Sequence, residues 1–392
     1  MMRNRLTLDS PYTRGVVGWV VLGVPLVLVI AFVEAFLGPA NQQVAVTFLI
    51  SLVAVVGFQV YSGNSGIMTF GHVAFMGIAA YVAGILTIAP AIKAEALPAL
   101  PSFLRDTQLS LIPAVAVALL VVLVVAFAFG WPLTRLSAAA TPISTLAMLM
   151  IVYVVLVGAA DFTRGSQTFY GVPSLVDMWG VLIAALLAIL IARLFRDSVF
   201  GLRLRASRED ELASRSAGVH VANLRLTSWL LSALIVGLAG ALLGFTLTAF
   251  SPKQFYFTLQ FELVAMLVVG SSTTVSGAVG GTFLVSLLME AARRVEAAMN
   301  GQVFGLQEIT LALVILATMY WRRDGLFGLR EADEILISWL RGRGFVGSRL
   351  GLTDGPTALV DPPRESGSTS SPGPGPVPAD HGASIDPGAQ SR

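Results

Sequence analysis

Three features point to an all-α polytopic membrane protein of about ten transmembrane helices, some of them broken. The chain of 392 residues is 55% hydrophobic and only 12% charged, whereas soluble domains carry roughly 25% charged residues. Apolar runs approaching the roughly 20 residues of a spanning helix recur along it, and the mean hydropathy is +0.79. Its arginines gather in a few loops rather than spreading over the surface. The net charge of +2 and pI near 9.1 therefore reflect orientation in a bilayer, not nucleic-acid binding. There is no cysteine, which excludes disulfides, thiol catalysis and cysteine metal sites.

The first apolar run, Val16–Leu37, follows Arg3, Arg5 and Arg14 as a signal peptide would. It is longer than an ordinary signal core, lacks a small-residue cleavage site and is followed by further runs, so it reads as a retained first helix. Runs follow at Val44–Tyr61, Val73–Ala89, Leu109–Gly130, Ala138–Ala160, Trp179–Leu194 and Thr227–Phe250. A shorter pair, Phe255–Gly270 and Ala278–Met289, precedes a last run, Val303–Trp321.

Basic residues orient these runs by the positive-inside rule. The N-terminal residues 1–15, the loop 193–227 and the basic segment 322–350 are expected in the cytoplasm. Lys93, Arg105, Arg164, Lys253, Arg293 and Arg294 fall on the other side. Both termini inside requires an even number of crossings, so the short pair crosses twice and the transmembrane domain, 16–321, has ten helices. The tail 351–392 is rich in Pro, Gly, Ser and Asp and is expected to be a disordered cytoplasmic tail.

The segment Arg193–Arg225 carries seven arginines between two apolar runs. Ser207-Arg208-Glu209-Asp210 has the form of a capping box, Glu211 and Arg215 stand at i,i+4, and Gly218 suits a helix end. The expectation is a short helix over Arg208–Ala217 at the membrane surface, suited to docking a soluble partner.

Two stretches break the apolar pattern with small polar residues. One is Ser62-Gly63-Asn64-Ser65-Gly66, continuing to Thr69, Gly71 and His72; the other runs from Gly270 through Ser271 and Ser272 to Gly277. Broken helices at membrane depth face protein or a water-filled cavity, and paired breaks mark a permeation path. A tight turn at the membrane edge is the alternative for each, and the first lies near the cytoplasmic face on this topology. His72 lacks companions at metal-ligand spacing, so it reads as a packed, hydrogen-bonded histidine, with a proton relay as the second reading. Glu34 and Asp161 lie at run ends, while Glu262, among Phe261, Leu263 and Val264, is the best candidate for a buried charge. No nucleophile elbow or phosphate loop is present, so ATP-driven transport would need its ATPase on another polypeptide.

The order of these motifs resembles the membrane permeases of ABC importers for branched-chain amino acids, the LivM/LivH type. Gly66–Gly77 with Ala80-Tyr81 resembles that family's Gly-Gln-x-Ser-x-Gly-His-x-x-Phe-x-Gly signature. Thr145-Leu146 and Gly171-Val172-Pro173 resemble its middle-helix Thr-Leu and external Gly-Ile-Pro. The run from Ser198-Val199-Phe200-Gly201 through Arg205, Arg208-Glu209, Ala213 and Gly218 resembles its coupling segment. Ser232-Ala233, Gly237, Ala239-Gly240-Ala241 and Ser251-Pro252 continue the pattern. Ile67 replaces the usual Gln and Thr69 the usual Ser, Arg164 interrupts an external Thr-Gly-Gly, and Ser271 and Ala278 replace a Gly and a Pro.

The resemblance implies an ABC importer permease subunit in the bacterial inner membrane. It would work with a second permease, two ATPases and an extracytoplasmic substrate-binding protein, binding no cofactor itself while the partner ATPases use ATP. It implies a translocation path along Gly63, Asn64, Ser65, Gly66, Thr69, His72, Thr145, Ser271 and Ser272. ATPase coupling falls to Gly201, Arg205, Arg208, Glu209, Glu211, Arg215 and Gly218. The expected substrate is leucine, isoleucine or valine, with urea or short amides next. An ion-coupled secondary transporter and a membrane-embedded transferase are the rival classes, the latter lacking a polar catalytic cluster.

Overall fold

The computed structural model describes residues 11–299, 305–321, 325, 326, 328 and 331. The expectations for residues 1–10, for most of 322–350 and for the tail 351–392 lie outside these. Helices follow one another as α1 Pro11–Phe36, α2 Pro39–Ser65, α3 Val73–Thr87, α4 Pro90–Ala96 and α5 Ser102–Arg105. Next come α6 Leu111–Leu133, α7 Ala140–Gly158, α8 Ala160–Thr163, α9 Met178–Asp197, α10 Val199–Glu209 and α11 Glu211–Ser216. The described chain closes with α12 Val221–Leu247, α13 Phe257–Gly270, α14 Val275–Ala298 and α15 Leu306–Trp321.

Each of the ten apolar runs lies on one helix, but the helices differ in reach. Among the described residues, seven helices are long and apolar enough to cross a membrane, or eight if α3 and α4, bent by 119° at their junction, form one span. At 14 residues, α13 is about 21 Å long, short of a hydrocarbon core of about 30 Å. The run Ala278–Met289, by contrast, is part of a 24-residue helix, because Thr274 caps it early by accepting from Gly277 N.

Local chemistry sets these limits. Pro39 opens α2, where its missing N–H is no loss, and Gly66 closes it in the left-handed region at φ +72°. Asp177 caps α9 by accepting from Gly180 N at 3.1 Å. Packing then ranks the helices. Nearly nine-tenths of the apolar window of α2 is buried, against 22% for those of α1 and α6, so α2 is central and the other two face lipid. Alongside α2 runs α12, whose Ser232 Oγ donates to Gly57 O at 2.6 Å, while its Gly240 and Gly244 let α3 approach closely at Met76 and Ala80 and its Gly237 faces Val122 of α6.

The bundle has two distinct ends. At one, the C-terminal ends of α2 and α9 meet α10, the start of α12 and the α13–α14 junction; this is the arginine-rich end. At the other, Arg294 of α14 reaches Asn41 near the start of α2, and Phe169 and Phe250 exchange backbone bonds at 2.8 and 2.9 Å. The turn Pro252–Phe255 lies deeper: Phe255 packs on Gly77, and with Phe250 it meets the ring of Tyr81, both of them midway along α3. A single 3-10 turn flanked by the extended residues Ser251 and Tyr256 therefore lies inside the bundle, beside the start of the short α13.

Candidate functional site

The two helix breaks meet each other. A Cβ on Gly63 would collide with Ser272 O and, at 2.6 Å, with the Gln59 amide, so only glycine permits this approach. Asn64 and Ser65 are buried and bond back along α2, Nδ2 to Val60 O at 2.8 Å and Oγ to Tyr61 O at 2.7 Å. Asn64 Oδ1, Ser62 Oγ and both ends of the Gln59 amide bond to no group among the described residues. Each such buried orphan costs about 1–3 kcal/mol, so three side chains carrying them in the last turns of α2 depart from routine packing.

Beyond Gly66 the chain turns back into the bundle. Thr69 Oγ1 stands 2.7 Å from His72 Nδ1, and the imidazole is fully buried among Phe58, Tyr61, Phe75 and Trp229, with ring centroids 4.6–6.0 Å away. Thr145 of α7 holds this connection from outside: its Oγ1 accepts from Phe70 N at 3.0 Å and donates to Pro142 O at 2.9 Å. Val73 N donates to the side chain of Gln260, whose Nε2 is another buried orphan.

The second break is strained. Ser271 holds a φ of +152°, where glycine is at ease and serine is not. Its hydroxyl bonds the Thr273 hydroxyl at 2.9 Å. Ser271 occupies a position where the family resemblance expects glycine, and the dihedral gives that departure a physical cost.

The arginine-rich segment departs from expectation. Ser198 opens α10 by accepting from Gly201 N at 3.2 Å, so Ser207 falls in a helix interior and donates back to Leu204 O at 2.7 Å. The capping box at Ser207 is therefore not formed, and the single helix Arg208–Ala217 is replaced by two. Asp210 caps the second, accepting from Ala213 N at 2.9 Å. Gly218 does take the left-handed conformation, φ +82°, with open space around it.

Within the segment, Gly201 abuts the last carbonyls of α9 and Arg205 Nη2 donates to Arg196 O at 3.0 Å, locking α10 to α9. Arg208 reaches inward: a Cβ on Gly66 would meet its stem at 2.7 Å, and Nη1 lies 3.5 Å from Gly63 O. Glu209 points to solvent. Glu211 stays within the segment, pairing Arg215 at 2.6 Å and Arg225 of α12 at 2.9 Å. Burial pushes its carboxyl up, but Arg225 and Arg215 outweigh this and hold it below the ordinary carboxylate range. Val199, Phe200, Leu202 and Leu212 leave an exposed apolar surface on α10 and α11.

Sequence reasoning missed one centre altogether. Glu331, buried, pairs Arg193 at 3.0 Å and Arg196 at 2.9 Å, and accepts from Val275 N, Ser276 N and Ser276 Oγ at 2.8–3.1 Å. Arg196 also donates to Thr273 O, and Leu326 N donates to Val269 O at 3.0 Å. The residues after α15 thus fasten the second break to α9. Nothing in the local pattern around Glu331 signals this, because its partners lie on helices distant in sequence. Among the described residues no cluster of His, Asp and Glu suits a metal ion.

A family model described as the branched-chain amino acid transport system permease component matches residues 42–320. The chain belongs to this family. The permease is 25% identical over 335 residues to the high-affinity branched-chain amino acid transport system permease protein LivM of Salmonella typhimurium, covering 76% of this chain and 73% of that one. Against the protein of the same name in Escherichia coli it is 25% identical over 336 residues, covering 77% and 73%. It also matches the guanosine ABC transporter permease protein NupP of Bacillus subtilis at 29% over 139 residues, 35% of this chain and 39% of that one. No solved structure matches it. The permease is a multi-pass membrane protein and a transporter subunit, not an enzyme.

Proposed function

We propose that this permease is the translocating subunit of an ATP-driven importer of branched-chain amino acids, with its arginine-rich end and both termini in the cytoplasm of a bacterium. The observation that carries this reading is that one segment touches both helix breaks: Arg208 of α10 bears on Gly63 and Gly66, while Arg196 of α9 holds Thr273. Partner ATPases dock on the exposed apolar and charged face of α10 and α11, around Leu212 and Arg215. A second permease and an extracytoplasmic binding protein complete the assembly. ATP binding on the partners shifts α10, and the shift re-sets the Gly63–Gly66 and Ser271–Ser272 junction through which substrate passes. Asn64, Ser65, Thr69 and His72 lie along that route, and Thr145 positions its wall.

The test is reconstitution of the whole complex in vesicles. Leucine uptake is expected only with ATP and both ATPases present, and Leu212→Asp is expected to uncouple hydrolysis from uptake. Uptake by the permease without any ATPase would refute the reading and put an ion-coupled transporter in its place.

A further inference from the structure

A cleft of about 530 Å³ opens at the end of the bundle opposite the arginine-rich segment. This is within the range of roughly 300–1,000 Å³ typical of small-molecule sites. Leu243 and Leu247 of α12 and Leu259 of α13 form an apolar wall, and Lys253 and Glu262 bring opposite charges to the same space. Ala249, Phe250 and Ser251 line it with Lys253 and Gln254 of the turn Pro252–Phe255, and Phe255 of that turn packs at mid-α3, which places the cleft within the depth of the bundle. Irregular backbone at such depth is tolerated where it lines a water-filled cavity.

The charges themselves carry the argument. Glu262 lies about 7.5 Å along α13 from its first residue, half-buried, and its carboxylate forms no ion pair or hydrogen bond with any described residue. Thr258 and Leu259, at i−4 and i−3, line the cleft with it, so one face of α13 is turned into this space. Lys253 is exposed and forms no ion pair with Glu262, although both line the cleft. A carboxylate in a membrane helix is costly unless something pairs with it, and an intramembrane ionisable group is by default functional.

We infer that this cleft is a binding site for a zwitterionic amino acid with an aliphatic side chain. Glu262 accepts from its ammonium group, Lys253 donates to its carboxylate, and the leucine wall takes its side chain. The inference rests on the proposed transport of amino acids and adds a selective site on the permease itself. A neutral nucleoside has neither charge, so Lys253 and Glu262 discriminate against it.

Binding of radiolabelled leucine to the full complex in nanodiscs, without the binding protein, tests this. Wild type is expected to bind leucine and to be displaced by leucine about tenfold better than by 4-methylpentanoate, which lacks the ammonium, or by guanosine. Glu262→Gln and Lys253→Gln are each expected to weaken leucine about tenfold or more, and Glu262→Gln to erase the preference over 4-methylpentanoate. Glu262→Asp is expected to recover part of the loss, and Lys253→Gln, on the surface, carries little risk to folding. Normal leucine binding by both glutamine variants, equal displacement by guanosine, or no leucine binding to wild type would each overturn the site. ATP-dependent uptake by wild type in vesicles is scored separately: its presence beside unaffected variants rejects the site alone, and its absence rejects the transport reading.

Discussion

Replacing Glu331 with Gln is expected to loosen the second helix break from α9. Its carboxylate faces two guanidiniums at 2.9 and 3.0 Å and three donors at the start of α14. Removing one partner of a buried ion pair costs roughly 3–5 kcal/mol, because the remaining charge stays buried; Arg193 and Arg196 are only 2% and 6% exposed. The assay is the midpoint of heat-induced aggregation of the purified permease in detergent, with leucine uptake measured in parallel. A fall of about 5 °C or more is expected at pH 7. The sign of the pH dependence follows from the site. Burial raises the Glu331 carboxyl, but Arg196, Arg193 and the Val275 and Ser276 amides outweigh it, so its folded pKa lies below the unfolded one. Its contribution is therefore complete above an unfolded pKa of about 4.3 and is lost as pH falls through the folded value. The gap between wild type and Glu331→Gln should be constant from about pH 5 to 8 and close in stronger acid. A variant that matches wild type at pH 7 in both midpoint and uptake would refute the clamp.

Three further outcomes are expected. Ser271→Gly should raise the aggregation midpoint, because it relieves a strained φ worth about 1–3 kcal/mol and forfeits only the two bonds of its hydroxyl to Thr273; an unchanged or lower midpoint would show the serine unstrained. Asn64→Leu should leave the midpoint unchanged or higher, since it removes a buried orphan oxygen, while uptake falls several-fold; normal uptake would return that stretch to a membrane-edge turn. Glu211→Gln should release α11 from Arg225 and speed protease cleavage within residues 211–218 above the carboxyl's folded pKa, the difference vanishing in acid; equal cleavage at pH 7 would count against the pairing.

What was legible in the sequence is what hydropathy and local chemistry encode. Apolar runs gave helix positions because burial and lipid exposure both select the same side chains. The breaks at Gly63–Gly66 and Gly270–Ser272 stood out because glycine and serine clusters are rare inside apolar runs. The cap was misplaced because Ser198, Ser207 and Asp210 all suit an N-cap, and only packing of Gly201 against the end of α9 selects Ser198 and Asp210. The reach of α13 was illegible for a related reason. Its start is set by Phe255 packing on Gly77 and Tyr81, a contact between segments far apart in the chain. Glu331 was hidden most completely, since a glutamate beside a basic segment reads as solvated until its arginine partners are brought to it.

The same contacts constrain how the two breaks move under the proposed function. Arg205 bonds the last turn of α9, Gly201 admits no gap there, and Ser198 caps the junction, so α9 and α10 form one stiff elbow. The first break is fastened to that elbow through Arg208, and the second through Arg196, Arg193 and Glu331. Breaks fastened to separate bodies would open independently and leave a leak. Fastened to one elbow, they shift together, and the close approach of Gly63 to Ser272 O leaves no slack between them. Loosening either attachment while keeping the other should therefore damage coupling more than it damages folding, because each break would then sample positions that the docked partner no longer controls.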